Sequence, residues 1–197
     1  NSLEEYFGNK FTTSSETIGG IYIVRDPRNV ISSMCNHYAL DLNKAYAKMT
    51  DVNSSLSFKL ADEDYSNFTF LGKWSNHYWS WKNNMNFKTL IIKYEDLRDN
   101  TFEEFKKIIN FIEDLKGTNN EINEEKLENS INSTSFSKLK NKEKMNGFGE
   151  STVSKDGKPI NFFNLGFKNQ WENLLPKEMS DKIKNEFINE LKDLKYE

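Results

Sequence analysis

Two short apolar runs in this sequence have the pattern of buried β-strands. Residues 21–24 are continuously apolar, rich in β-branched side chains and preceded by two glycines, and residues 89–94 (TLIIKY) are followed by acidic residues. Apolar runs of this length, bounded by turn residues, are typical of strands that are covered on both faces. Because long segments with helical spacing follow both runs, we expect an α/β protein with a parallel sheet.

The first strand is expected to lead directly into a helix. Asp26 is a good N-cap and Pro27 fits the first helical position. The apolar positions of this helix are Val30, Ile31, Met34 and Tyr38. A second short helix is expected from Asp41, as its cap, through Met49.

The clearest helical pattern in the chain is NTFEEFKKIINFIEDLKG. Thr101 and Glu104 fit a capping box at its start, and Gly117 fits the position just past its end. Its apolar residues at helical spacing are Phe102, Phe105, Ile108, Ile109 and Ile112. This spacing predicts a helix with one buried face.

Three further segments follow in the second half of the chain. A short helix is expected over residues 124–131, and a longer one over residues 176–194. The apolar face of the longer helix consists of Met179, Ile183, Phe187, Leu191 and Leu194. Between these helices, residues 140–159 are polar and glycine-rich, and they predict a long mobile loop. Because such loops are often functional, we expect this one to be a lid that orders when a ligand binds.

The composition narrows the class of ligand. The chain has 197 residues, and its formal net charge of −3 lacks the basic excess of a nucleic-acid or membrane-surface binder. An anionic ligand must therefore meet a local cluster of donors. No apolar run approaches the ~20 residues of a membrane span. The single cysteine, Cys35, excludes an internal disulfide and favours a reducing, cytoplasmic location, where we interpret it as a packing residue.

Two strands are too few for a stable parallel sheet, in which roughly four to six strands are usual. The sequence also begins without an initiator methionine. We therefore interpret residues 1–197 as a single α/β domain that is the C-terminal portion of a longer domain, with further strands upstream.

Anion-binding chemistry is predicted where the first strand meets its helix. A strand, a sharp turn and a helix N-terminus bring free backbone N–H groups to the carboxyl end of the strand. Arg25 leaves this strand and Ser33 lies two helical turns later, so that a phosphate monoester could take a guanidinium fork and a hydroxyl. From the residues alone, the alternative of a surface arginine paired with Asp26 or a glutamate, beside a solvated serine, is favoured over the anion site.

The stretch IYIVRDPRNVISS resembles the 3′-phosphate-binding segment of sulfotransferases that use 3′-phosphoadenosine 5′-phosphosulfate (PAPS). Four more motifs of this family resemble segments here, in the same order. They are KWSNHYWSW for the Gly-Ser-Trp…His helix, IIKYEDL for the Tyr-Glu-Asp strand end, STSFSKLK for the Thr-Ser-Phe turn, and FFNLGFKNQWENLLP for the Phe-Arg-Lys-Gly…Gly-Asp-Trp segment. The likeness implies a P-loop-like three-layer fold with a central parallel sheet flanked by helices, here without its N-terminal strand-loop-helix unit.

The resemblance also implies a set of nucleotide-binding residues and a cofactor, PAPS, with its product PAP. Arg25 and Ser33 would hold the 3′-phosphate, and backbone groups around Gly166 would complete that site. The residues implied around the adenine are Tyr94, Thr134, Ser135 and Phe136. Phe136 offers a face on which a purine can stack, and the neighbouring hydroxyls can reach the base edge.

Two departures from the family pattern bear on this site. Where the family has Arg-Lys before the glycine, this chain has Asn164 and Leu165, so two cations are lost, and Lys168 is a candidate replacement or a solvated lysine. The second departure is that the phosphosulfate-binding loop and the Lys-Thr-His segment with the catalytic base are not found in residues 1–20. The catalytic residues are therefore unknown. His77, which lies in the Trp74, Tyr78 and Trp81 stripe, is a weak candidate for the substrate pocket, and His37 is interpreted as a packing or surface residue.

The function implied is transfer of a sulfuryl group from PAPS to a hydroxyl or amine of a small-molecule acceptor. The alternative is a non-catalytic nucleotide-binding module that kept the adenine pocket, and a nucleotide kinase is a third option without a Walker-type loop in support. The sequence shows no metal-ligand spacing, and we expect no metal. The candidate assembly is a homodimer. We expect no nucleic-acid partner and no membrane span.

Overall fold

The computed structural model describes residues 1–56, 68–154 and 156–197. Within these ranges the strands are β1 (Gly19–Val24), β2 (Ser55–Leu56), β3 (Thr69–Phe70), β4 (Lys88–Lys93), β5 (Thr152–Val153) and β6 (Pro159–Ile160). The helices are α1 (Pro27–His37), α2 (Leu42–Thr50), α3 (Trp74–Lys82), α4 (Tyr94–Asp99), α5 (Thr101–Lys116), α6 (Glu124–Ser133), α7 (Phe136–Asn146), α8 (Trp171–Leu174), α9 (Lys177–Glu186) and α10 (Ile188–Asp193), with a 3₁₀ turn at Gly166–Lys168.

The predicted α/β class and parallel sheet are confirmed. β1 and β4 are parallel and in register from Gly19 opposite Lys88 to Val24 opposite Lys93. A side chain at Gly19 would meet Leu115 of α5, and one at Gly20 would meet Trp81 of α3. Because successive strand residues point to opposite faces, α5 and α3 lie on opposite sides of the sheet, which gives three layers.

The main core lies between α1, α2 and α9. Its buried side chains are Ile31, Ala45, Met49, Met179, Ile183 and Phe187. The start of α1 is confirmed as predicted, because the Asp26 carboxylate accepts the backbone N–H of Arg28 at 2.8 Å and Pro27 is the first helical residue. Asp41 caps α2 in the same way, accepting the N–H of Lys44 at 2.9 Å.

The predicted capping box of α5 is wrong, although the helix itself is confirmed. α4 ends at Asp99, so that Asn100 alone separates the two helices and is the N-cap, without a side-chain capping bond. The Thr101 hydroxyl instead donates to the carbonyl of Arg98 at 3.3 Å, and the buried Glu104 carboxylate pairs with Lys107. α4 also corrects the second strand, because Tyr94 is the first residue of α4 and not the last residue of β4.

The predicted loop at residues 140–159 is largely wrong, with residue 155 outside the described ranges. α7 runs through Asn146, and β5 and β6 then form a short antiparallel hairpin. The sequence KLKNKEKM consists mostly of good helix formers, whose propensity outweighs the missing apolar periodicity. The last predicted helix is two helices that join at Phe187, and its whole predicted apolar face is buried.

Candidate functional site

The carboxyl ends of β1 and β4 border a cavity of about 470 Å³. α1 forms one wall, the start of α7 another, and the segment 162–169 closes the third side. The residues that line it include Arg25, Ser33, His37, Tyr94, Phe136, Phe162, Phe163, Gly166 and Asn169. A cavity of this size, largely aromatic with a few polar groups, suits a small organic ligand.

Arg25 supplies the positive charge of this cavity. Its guanidinium lies 4.4 Å from the centre of the Tyr94 ring, and its Nη1 donates to Ser33 Oγ at 3.3 Å. Its Nε is buried without a hydrogen-bond partner, and Arg25 forms no ion pair with a carboxylate in the described parts of the chain. The interpretation of Arg25 as an arginine paired with Asp26 or a glutamate is therefore wrong.

Asp26 is unavailable to Arg25 because Arg28 occupies it. Arg28 donates to both carboxylate oxygens, at 3.0 Å from Nε to Oδ1 and 2.7 Å from Nη2 to Oδ2, and both side chains are almost fully buried. Arg28 also stacks on Trp171 at 4.1 Å and donates to Glu197 at 2.6 Å. This buried pair fixes the strand–helix turn, so that the preceding Arg25 lies toward the cavity.

Two asparagines that the sequence analysis missed join α1 to the segment after the 3₁₀ turn. The side-chain oxygen of Asn29 accepts the backbone N–H of Trp171 at 2.8 Å, and the buried Asn169 amide donates to Ser33 Oγ at 2.8 Å. The sequence contained one signal for Asn169. When Trp171 is aligned with the tryptophan of the Gly-Asp-Trp motif, Asn169 lies where that motif has its glycine. An amide in place of a glycine at this position indicates a new contact.

The aromatic wall is built from Phe136 and the segment 162–166. Gly166 lies against Phe136, because a Cβ at Gly166 would come within 2.7 Å of two ring carbons. Phe162 and Phe163 pack on each other at 5.2 Å between ring centres, and Phe163 lies 6.0 Å from Phe136. His37 packs against this wall, with its ring centre 5.8 Å from that of Phe162. This contact agrees with its interpretation as a packing residue.

Five of the seven predicted nucleotide-binding residues line this one cavity: Arg25, Ser33, Tyr94, Phe136 and Gly166. Thr134 and Ser135 do not. Thr134 is exposed, and its hydroxyl donates to the carbonyl of Ser130 at 2.8 Å in the last turn of α6. Ser135 is the N-cap of α7, without a side-chain capping bond. The role of all seven in binding stays a prediction.

The structure places His77 outside this cavity. Its Nδ1 lies 3.0 Å from the hydroxyl of Tyr22, and the two rings stack at 5.5 Å. Burial lowers the pKa of His77 to about 4, so that the imidazole is neutral at neutral pH. His77 packs between the rest of α3 and the sheet, and it is not among the described residues that line the cavity with Arg25 and Phe136.

The cations lost at Asn164 and Leu165 are not replaced by Lys168, which is exposed and does not line the cavity. Lys140 of α7 contacts two residues that line the cavity, Asn164 and Phe136. Its ammonium donates to the carbonyl of Asn164 and is 5.5 Å from the centre of the Phe136 ring. The described residues contain no group of three or more His, Cys, Asp or Glu side chains that could hold a metal ion.

Glu143 holds the aromatic wall in place. Its buried carboxylate accepts the Ser151 hydroxyl at 2.7 Å and the backbone N–H groups of Phe162 and Phe163 at 2.6 and 3.0 Å. Burial opposes ionisation of this carboxyl, but these three hydrogen bonds outweigh it and keep the pKa of Glu143 below its ordinary value. Glu143 therefore ties α7 to the segment that carries Phe162 and Phe163.

We expect Glu143→Gln to lower the free energy of unfolding at pH 7 by about 1–3 kcal/mol, because the charged acceptor of three donors is lost. Since the native pKa is depressed, this stabilisation is present above the unfolded pKa and is lost as the pH falls through the native pKa. Urea unfolding at pH 7 and at low pH tests this, with the exposed Glu150→Gln as the control. A difference between wild type and Glu143→Gln that does not shrink at low pH would contradict the assignment.

The fold and this cavity define an α/β protein with an arginine and an aromatic wall at the carboxyl ends of two parallel strands. Residues 13–195 match the family model described as the sulfotransferase domain. The chain belongs to this family, as the sequence motifs predicted.

Similarity to individual relatives is lower. Sulfotransferase 1B1 of Canis lupus familiaris is 29% identical over 113 residues, which are 57% of this chain and 36% of the relative. Among solved structures, mouse sulfotransferase SULT7A1 complexed with PAP is similar at 22% identity and a TM-score of 0.46, over 84% of this chain and 57% of that one. Retinol dehydratase in a complex with retinol and PAP is similar at 21% identity and a TM-score of 0.47, over 88% and 47%. The chain thus spans about a third to somewhat over half of these proteins.

No helix in the described ranges is both long and apolar enough to cross a membrane.

Proposed function

We propose that this chain forms the nucleotide-binding part of a PAPS-dependent sulfotransferase. The observation that carries the proposal is the guanidinium of Arg25, which lies at the carboxyl end of β1, lines the cavity and keeps a buried, unpartnered Nε. A buried donor without a partner is costly, and an anion that accepts from Nε and from an adjacent Nη would satisfy it. A phosphate monoester has the matching bidentate geometry.

The adenine would lie against the aromatic wall. Phe136, Phe162 and Phe163 line the cavity. A purine would pack against these rings in the offset or edge-on arrangements that aromatic groups prefer. One face of Tyr94 is covered by Arg25, so that Tyr94 would contact the base by its edge or hydroxyl. Thr134 and Ser135 stay predicted contacts that would need a rearrangement at the α6–α7 junction.

The proposed reaction moves a sulfuryl group from PAPS to a hydroxyl or amine of a small-molecule acceptor. Transfer of this kind is an in-line displacement that needs positioning, charge neutralisation at the leaving phosphate and a base for the acceptor. In this chain, Arg25 and Ser33 would anchor the leaving nucleotide. His77 is buried against Tyr22 and is not assigned as the base. The homodimer and the cytoplasmic location also stay predictions.

A non-catalytic nucleotide-binding module is the second candidate, and one observation favours it. Asn164 and Leu165 stand where the family motif has two cations, which weakens charge neutralisation at the nucleotide. Incubation of the full-length protein with radiolabelled PAPS and a panel of phenols, alcohols and amines separates the two. Labelled product supports the enzyme, and PAP binding without any product supports the module.

The proposed function predicts that the chain binds PAP at least about tenfold more tightly than adenosine 5′-phosphate, which lacks the 3′-phosphate. One lost charge-assisted contact to a phosphate corresponds to at least this ratio. Titrations followed by NMR chemical shifts measure both affinities under the same conditions and at the same salt concentration. Equal affinity for the two nucleotides would contradict the assignment of Arg25 and Ser33 to the 3′-phosphate.

A further inference from the structure

Asn169 is a buried residue in the cavity wall, and its side-chain amide bonds to α1 through both its nitrogen and its oxygen. Its side chain is 5% exposed. Nδ2 donates to Ser33 Oγ at 2.8 Å and to the backbone carbonyl of Asn29 at 3.2 Å, and Oδ1 accepts the Ser32 hydroxyl at 2.5 Å. The carbonyl of Asn29 can only accept, so that the amide is held with its nitrogen toward Asn29 and Ser33.

This arrangement fills the acceptor capacity of Ser33. A hydroxyl oxygen has two lone pairs and one proton. Asn169 Nδ2 donates to one lone pair, and Arg25 Nη1 donates to the other at 3.3 Å. The proton goes to the carbonyl of Asn29 at 3.3 Å, a long bond of the i−4 type that competes poorly with a charged acceptor. Ser33 can therefore offer its proton to a ligand and can accept nothing from it.

We propose that Asn169 is a specificity-determining residue that makes Ser33 an obligate donor and so selects a 3′-phosphate over a 3′-hydroxyl. This inference rests on the proposed function. A phosphate oxygen accepts from both Ser33 and Arg25. A ligand hydroxyl at the same place would find two donors and no acceptor for its own proton, and a buried unsatisfied donor weakens binding. Asn169 acts through Ser33 and is a positioning residue for the anion.

The deciding variant is Asn169→Asp, which has the same shape but carries an acceptor in place of the amide donor. Its carboxylate would accept the proton of Ser33 and place a negative charge beside the anion. At pH 7.5 we expect PAP affinity to fall about 30- to 100-fold, while the affinity for adenosine 5′-phosphate changes less than about threefold. Protonation of that carboxyl restores a donor, so that PAP affinity relative to wild type at the same pH is expected to rise when the pH is lowered from 7.5 to 5.

Two further variants keep the test decisive. Asn173→Asp adds the same charge at an exposed position in α8 and is expected to leave the PAP affinity within twofold of wild type. Asn169→Ala removes the amide without adding a charge, and it decides the question if Asn169→Asp does not fold. We expect it to reduce the ratio of PAP to adenosine 5′-phosphate affinity about three- to tenfold.

NMR titrations of the full chain with both nucleotides provide the measurement. Selective loss of PAP affinity in Asn169→Asp with recovery at low pH supports the inference. If Asn169→Asp loses affinity equally for both nucleotides at both pH values, Asn169 has only a structural role and the inference is overturned. An unchanged ratio of PAP to adenosine 5′-phosphate affinity in Asn169→Ala overturns it as well. A wild-type chain that does not prefer PAP contradicts the proposed function itself, which separates that failure from the failure of this inference.

Discussion

Replacing Arg25 by alanine is expected to lower the affinity for PAP by about 30- to 1,000-fold, or roughly 2–4 kcal/mol. Among the described residues that line the cavity, Arg25 carries the fixed positive charge. Asp26, the nearest carboxylate in sequence, does not neutralise this charge because it is bound to Arg28. Asn164 and Leu165 line the cavity where the family motif has two cations, and Lys140, which donates to the carbonyl of Asn164, is not among the described lining residues. Isothermal titration calorimetry with PAP measures the loss.

Two variants sharpen this test. Arg25→Lys keeps the charge but not the planar fork, and we expect it to recover only part of the affinity. Lys88→Ala removes one positive charge at the opposite end of β4, where Lys88 is exposed and pairs with Asp114 at 2.6 Å. An equal loss in Lys88→Ala would mean that the effect is one of net charge, and unchanged PAP affinity in Arg25→Ala would refute the anion site.

A methyl group at Gly166 is expected to lower the free energy of unfolding by about 2–4 kcal/mol, the sum of backbone strain and overpacking. Gly166 has a φ of +56°, in the left-handed region, and its Cβ would lie 2.7 Å from two carbons of the Phe136 ring. The melting temperature of Gly166→Ala should therefore fall by about 4–16 °C, by the usual scaling for a domain of this size. Because Phe136 must move, PAP affinity should fall as well.

The control is Gly149→Ala, since Gly149 has no positive φ and a Cβ there would meet no atom within 4 Å. The double variant Gly166→Ala with Phe136→Leu separates the two causes. The smaller leucine side chain relieves the contact with the added methyl group but leaves the backbone strain at position 166. Only part of the lost free energy of unfolding should therefore return. A melting temperature for Gly166→Ala within 1–2 °C of wild type would show that the contact between Gly166 and Phe136 is looser than described.

The sequence was sufficient for the features that depend on local chemistry. The run at residues 21–24 became β1, Asp26 and Pro27 began α1, and Gly117 ended α5 in the left-handed conformation with a φ of +68°. Caps and strand-like runs act over a few residues, which explains their success. The same local approach failed for α5's capping box, because the position of α4, one residue upstream, decided which residue was the N-cap.

The side chains that organise the cavity could not be predicted in this way. Asn169 bonds to Ser32 across 137 positions, and Glu143 bonds to Phe162 across 19. Neither residue belongs to a periodic pattern, and an asparagine or glutamate in a polar segment ordinarily faces water. The family motifs brought together Arg25, Ser33, Tyr94, Phe136 and Gly166, but the donors that orient them depend on tertiary contacts that no motif records.

The parallel register of β1 and β4 has a consequence for how the chain folds. It pairs residues roughly 70 positions apart, and pairings of such high sequence separation form slowly because a long loop must close first. Arg25 leaves one of these strands and Tyr94 the other, so that the guanidinium and the ring meet only after the strands pair. Nucleotide binding during refolding should therefore lag behind the appearance of helical signal in α5, and the ligand would report on the last long-range step of folding.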